Sequence, residues 1–94
     1  MEKTIKVMWE GNEVDVTLKE LVWGDYKRAR TESIFIKEYN GDPLQFRNVD
    51  AMEDLKIVLS IKQAPFPSTM QSLDKLSQKD RDNLLKAVVE INGS

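Results

Sequence analysis

The sequence predicts an α+β fold: an N-terminal β-hairpin packed on about three helices, with a second short hairpin in the middle. Three observations carry this. Residues 4–18 alternate apolar and polar about a Gly-Asn pair. After Val22 the apolar spacing changes from two residues to three or four. Two later apolar stretches, each introduced by a helix-start signal, keep the helical spacing.

In residues 4–18, Ile5, Val7 and Trp9 fall on one face with Lys6 and Glu10 on the other, and Val14, Val16 and Leu18 alternate with Glu13, Asp15 and Thr17. Gly11-Asn12 suits a type II′ turn, with glycine first. That turn would pair Trp9 with Val14, Val7 with Val16 and Ile5 with Leu18, all on one face. An isolated hairpin is marginally stable, so this face needs a helix to cover it. Met8 lies on the opposite face, either exposed or covered by a second subunit.

A first helix is expected over 22–33, with Trp23, Tyr26 and Ala29 or Arg30 inward and Lys27, Arg28 and Glu32 outward. Asp25 lies in its first turn, where a carboxylate favours the helix dipole. Residues 34–49 form a variable segment. Ile34–Tyr39 with Leu44–Arg47 reads as a hairpin about Asn40-Gly41, and a helix continuing to Tyr39 is the alternative. A central helix is expected over 50–64, begun by an Asp50-x-x-Glu53 capping box and stopped by Pro65. A polar connector follows, with Met70, Leu73 and Leu76 as anchors of a short helical turn. Ser77-x-x-Asp80 then caps a last helix over 77–92, striped by Leu84, Leu85, Val88 and Ile91 and stopped at Asn92-Gly93. No repeat or internal boundary divides the chain, so one domain over 1–94 is expected.

Composition narrows the function. The 94 residues carry 14 basic and 16 acidic groups, a net charge of −2, so no global field draws the chain to nucleic acid or an anionic membrane. There is no cysteine for a disulfide or thiolate site, and no histidine, the commonest general base and neutral metal ligand. The N-terminus lacks a signal-peptide core, and no apolar run approaches the roughly 20 residues of a membrane span. A cytoplasmic protein is expected, although lack of cysteine is equally compatible with secretion.

No constellation of residues reads as catalytic, cofactor-binding or metal-ligating. Asp50 with Asp54, and Asp80 with its neighbours, read as capping and solvated acids. Ser60 and Lys62 have no elbow or oxyanion loop around them, and the four glycines are too scattered to cradle phosphate. The expectation is therefore a non-enzyme without cofactor or metal. Lys27, Arg28 and Arg30 form a basic helix face that suits an acidic partner; Trp23 and Tyr26 are placed on the apolar side, away from it. Pro65, Phe66 and Pro67 form a second candidate partner-binding patch.

Three short motifs stand in order, Leu18 to Tyr26 (Leu-x-x-Leu-x-Trp-Gly-x-Tyr), Ser60 to Phe66 and Leu84 to Gly93, and the likeness they carry extends over most of the chain. Together they resemble the small tail assembly chaperones of long-tailed bacteriophages and related prophages. The resemblance implies a non-catalytic protein of the host cytoplasm, absent from the mature virion. It implies binding to tape-measure and tail-tube proteins during tail morphogenesis, self-association, and in some members a frameshifted longer form. Two other readings stand beside it: a structural virion subunit, and a small nucleic-acid-binding or regulatory protein using Lys27, Arg28 and Arg30.

Overall fold

A computed structural model describes residues 1–93. The first hairpin is β1 (Glu2–Trp9) and β2 (Asn12–Lys19). Its turn is Glu10-Gly11, not Gly11-Asn12. Both turn residues take positive φ, +51° and +81°, the type I′ geometry whose twist matches that of the flanking strands. Val7 therefore pairs with Val14, Ile5 with Val16 and Lys3 with Leu18. The register differs by two residues from the expected one. Side chains alternate with period two, so the same face is still buried. Val7, Val16 and Leu18 all lie in the core.

Helix α1 spans Trp23–Glu32. A second hairpin follows, β3 (Ile34–Tyr39) and β4 (Asp42–Arg47), so the chain does not continue as helix to Tyr39. Asn40 and Gly41, at φ +53° and +84°, make a second type I′ turn. Helix α2 spans Val49–Ser60 and is capped by Asn48, whose side chain accepts the Ala51 N–H at 3.0 Å. The cap is thus Asn48, two residues before the expected Asp50. The helix also stops earlier than expected. Ile61–Gln63 becomes β5, pairing antiparallel with β2 (Leu18 with Ile61, Thr17 with Gln63). The buried Ser60 hydroxyl donates to the Lys19 carbonyl at the changeover, so the sheet edge, rather than Pro65, ends the helix. A short helix α3 (Met70–Asp74) is capped by Thr69. Helix α4 (Gln78–Ile91) is capped by Ser77 as expected, its hydroxyl accepting the Asp80 N–H at 3.2 Å.

The architecture is α+β. Strands β1-β2-β5 form one antiparallel sheet, and β3-β4 stand apart as a two-stranded ribbon. Helices α2 and α4 pack against each other and onto the sheet, while α1 and α3 pack on α2. Between them lie Val7, Val16, Leu18, Leu21, Ile57, Phe66, Leu73, Leu84, Ala87, Val88 and Ile91. The Asn92 side chain closes this body. Its oxygen accepts the Leu21 N–H at 2.9 Å and its amide donates to the Val88 carbonyl at 2.7 Å. One half-buried contact thus ties the end of α4 to the segment entering α1.

Candidate partner-binding surface

Helix α1 positions the basic residues. Asp25 accepts the Val22 N–H at 3.0 Å, capping a helix whose N-cap residue has no side-chain acceptor. The inward stripe is Tyr26, half-buried against the core, then buried Ala29 and Ser33. Trp23 lies off that stripe and is 63% exposed. The expectation that Trp23 anchors the core is therefore corrected. One helical turn separates Trp23 from Lys27 and two from Arg30, so the three share an outward row. The Arg30 guanidinium lies 5.9 Å from the Trp23 ring centroid, within cation–π range. Lys27, Arg28 and Arg30 are all exposed. Arg28 is held by Glu32 at 2.9 Å, one turn on.

The Pro65–Pro67 loop divides. Pro65 and Pro67 are exposed, but Phe66 is only 6% exposed and belongs to the core. Its ring stacks on Trp9 with centroids 4.5 Å apart. The proposed role of Phe66 as a partner-binding residue is corrected on that ground. The prolines fix the loop, and the aromatic between them fills the gap beside the hairpin.

Six exposed large apolar side chains lie on the hairpin that the sequence offered within the segment 34–49: Ile34, Phe35, Ile36, Tyr39, Leu44 and Phe46. All twelve strand residues of β3 and β4 are exposed. Phe35 pairs with Phe46 and Lys37 with Leu44, so these side chains share one face with Tyr39 and Asp42. The Phe35 and Phe46 rings stack at 5.6 Å, and the Lys37 ammonium sits 5.7 Å from the Phe35 ring. Ile34 and Ile36 lie on the opposite face with Arg47, Gln45, Glu38 and Pro43. Ile36 and Tyr39 are 65% and 64% exposed. The ribbon also lengthens the molecule. Its principal extents are 49 × 29 × 19 Å, and its radius of gyration is 14.8 Å, against about 12 Å for a compact chain of this length. The sequence did carry a signal: in Ile34-Phe35-Ile36 consecutive residues are apolar, so both faces of any strand there must be apolar.

Two polar groups tie elements of the body together. Arg81 donates to Asp54 at 2.8 Å and to Glu53 at 3.5 Å, joining α4 to α2. Burial would lower its pKa, but the Asp54 hydrogen bond and charge, with Glu53, reverse that and leave it raised. Ser60, bound to the Lys19 carbonyl, is committed to the sheet. Among the described residues, no three acidic side chains are grouped closely enough to hold a metal ion, and no helix is long and apolar enough to cross a membrane. No protein-family model, curated protein or solved structure matches the chain.

Proposed function

We propose that this protein is a non-enzymatic assembly chaperone of a phage or prophage tail, which binds apolar segments of a tape-measure protein in the host cytoplasm and is released before the virion is complete. The β3-β4 ribbon carries this reading. It presents Ile34, Phe35, Ile36, Tyr39, Leu44 and Phe46 to solvent from a body that has a separate core. Exposed apolar clusters of this kind mark protein-contact sites in small soluble domains. Aromatic rings with few rotatable bonds suit the anchor role. The motif order Leu18–Tyr26, Ser60–Phe66 and Leu84–Gly93 supplies the phage context by resemblance.

Co-expression with a tape-measure protein tests it. The two are expected to co-purify and to aggregate less together than apart. A Phe35→Ser/Phe46→Ser variant should lose the partner while keeping its helical signal. If neither partner becomes more soluble in the presence of the other, the chaperone reading fails.

A second reading draws on the outward row Trp23, Lys27 and Arg30, since an exposed indole beside cations also suits stacking on a single-stranded nucleic acid. Binding that weakens steeply with salt and is lost in Trp23→Ala would favour it.

A further inference from the structure

We propose that the open edge of β3 pairs antiparallel with β3 of a second copy of this chain, joining the two ribbons into a four-stranded sheet centred on Ile36.

The two edges of the ribbon differ. In a hairpin closed by a two-residue turn, the flanking pair, Tyr39 and Asp42, exchanges both backbone hydrogen bonds, and bonded pairs alternate from there. The base of the ribbon agrees: the Asn48 N–H donates to the Ser33 carbonyl at 2.8 Å, the position that alternation assigns to a bonded pair. The backbone groups of Ile34, Ile36 and Glu38 therefore face outward from β3, and those of Pro43, Gln45 and Arg47 face outward from β4. On β4 the first of these is a proline without an N–H, a substitution that blunts an edge against pairing. On β3 every outward position keeps its donor and acceptor. On the outer edge of β1 one outward group is taken: Asp80 accepts the Met8 N–H at 3.0 Å. Strand β3 keeps an unbroken edge that carries the β-branched Ile34 and Ile36.

Charge selects the second copy and the register. Only outward residues can bond across the new interface, so Ile34, Ile36 and Glu38 must face one another. Centring on Ile36 sets Ile36 against Ile36, Ile34 against Glu38 and Phe35 against Lys37. The last pair repeats between copies the cation–π contact that Lys37 already makes with Phe35. A two-residue shift toward the turn would oppose Lys37 with Lys37, which is unfavourable. A shift the other way shortens the overlap to Ile34–Ile36. The centred register thus pairs Ile34 through Glu38 and opposes no like charges. Its two-fold axis runs perpendicular to the sheet, so Phe35, Leu44 and Phe46 of both copies share one face, doubling the apolar surface. The pairing does not depend on the chaperone reading.

The chain has no cysteine, so single cysteines report the geometry directly. Across a bonded antiparallel pair, Cα atoms lie about 5.5 Å apart, within the ~4.4–6.8 Å span of a disulfide. Ile36→Cys is expected to give a disulfide-linked dimer on mild oxidation. Ile34→Cys is not, because its symmetry mate lies four residues along the strand, about 13 Å away. Sedimentation should show a wild-type dimer and an Ile36→Lys monomer, and an Ile36→Lys plus Ile36→Glu mixture should return to dimer. Ile36 is 65% exposed, so these variants should keep the wild-type circular dichroism. A wild-type monomer at every concentration tested, equal cross-linking at positions 34 and 36, or a mixture that stays monomeric overturns the proposal.

Discussion

Excising the β3-β4 ribbon should leave the body folded. The perturbation replaces residues 34–47 with Asn-Gly, joining Ser33 to Asn48 by two residues. Those ends are already bridged by the 2.8 Å hydrogen bond from the Asn48 N–H to the Ser33 carbonyl, which is the spacing of a four-residue turn. The removed piece is two six-residue strands and their two-residue turn. Shortening the connection about sevenfold lowers the loop-closure entropy by (3/2)RT ln 7, about 1.7 kcal/mol in favour of the variant. Against that stands the Phe35–Phe46 stack, worth about 0.5–1.5 kcal/mol, together with some partial burial. The net change should lie within about 2 kcal/mol of zero. For comparison, Leu84→Ala, at a position with 0% exposure, should cost about 2–5 kcal/mol. Total stability for a domain of this length is roughly 5–14 kcal/mol. Urea unfolding followed by circular dichroism, at concentrations low enough to keep any pairing between copies out of the equilibrium, measures all three proteins. A cooperative transition at nearly the wild-type stability is expected from the excised chain. Loss of cooperativity, or a larger loss than Leu84→Ala causes, would refute the division into body and ribbon.

Phe66→Ala should destabilise the fold by about 3–5 kcal/mol through the cavity it leaves against Trp9, whereas Trp23→Ala should change stability by about 0.5 kcal/mol or less; thermal or urea unfolding of the pair separates core from surface aromatic. Glu90, bonded to Lys3, and Glu2, bonded to Lys62, are both held below the ordinary glutamate value of 4.5. A carboxylate with a lowered folded pKa adds stability above its unfolded pKa and loses it as pH falls through the folded value. Stability should therefore decline below pH 4.5, and a Lys3→Met/Lys62→Met variant should show a shallower decline in acid titrations of unfolding.

The fold class was legible because each main signal was local. Residues 4–18 alternate with Met8 as the one apolar exception, Asn40-Gly41 is a strong turn pair, and Ser77 precedes a well-striped helix. The misreadings arose where sequence pattern is degenerate or where distant contacts decide. A Glu10-Gly11 turn and a Gly11-Asn12 turn differ by two residues of register, which buries the same side chains, so hydrophobic alternation cannot distinguish them. Strand β5 is three residues long and exists because β2 offers it an edge. Its residues continue the apolar pattern of α2 and read as helix. The basic face of α1 was legible from its charges. Trp23 was not: Trp23 and Tyr26 are both aromatic at helical spacing, and only the position of α2 decides which one turns inward. Phe66 was misplaced for a related reason, since flanking prolines suggest an exposed loop and do not show where the ring between them points.

The Asn92 contact has a consequence for how the molecule is made. Its side chain bonds the backbone at Leu21, and α4 covers the first hairpin through Leu84, Ala87, Val88 and Ile91. Chain emerging from a ribosome would hold Val7, Val16 and Leu18 uncovered until the last of these residues had cleared the exit tunnel. The first hairpin to be synthesised is therefore among the last parts to be sealed. Folding must close a contact spanning most of the sequence, a topology that slows the search. During that interval the nascent chain carries two sticky surfaces: the hairpin that will be buried and the ribbon that will not.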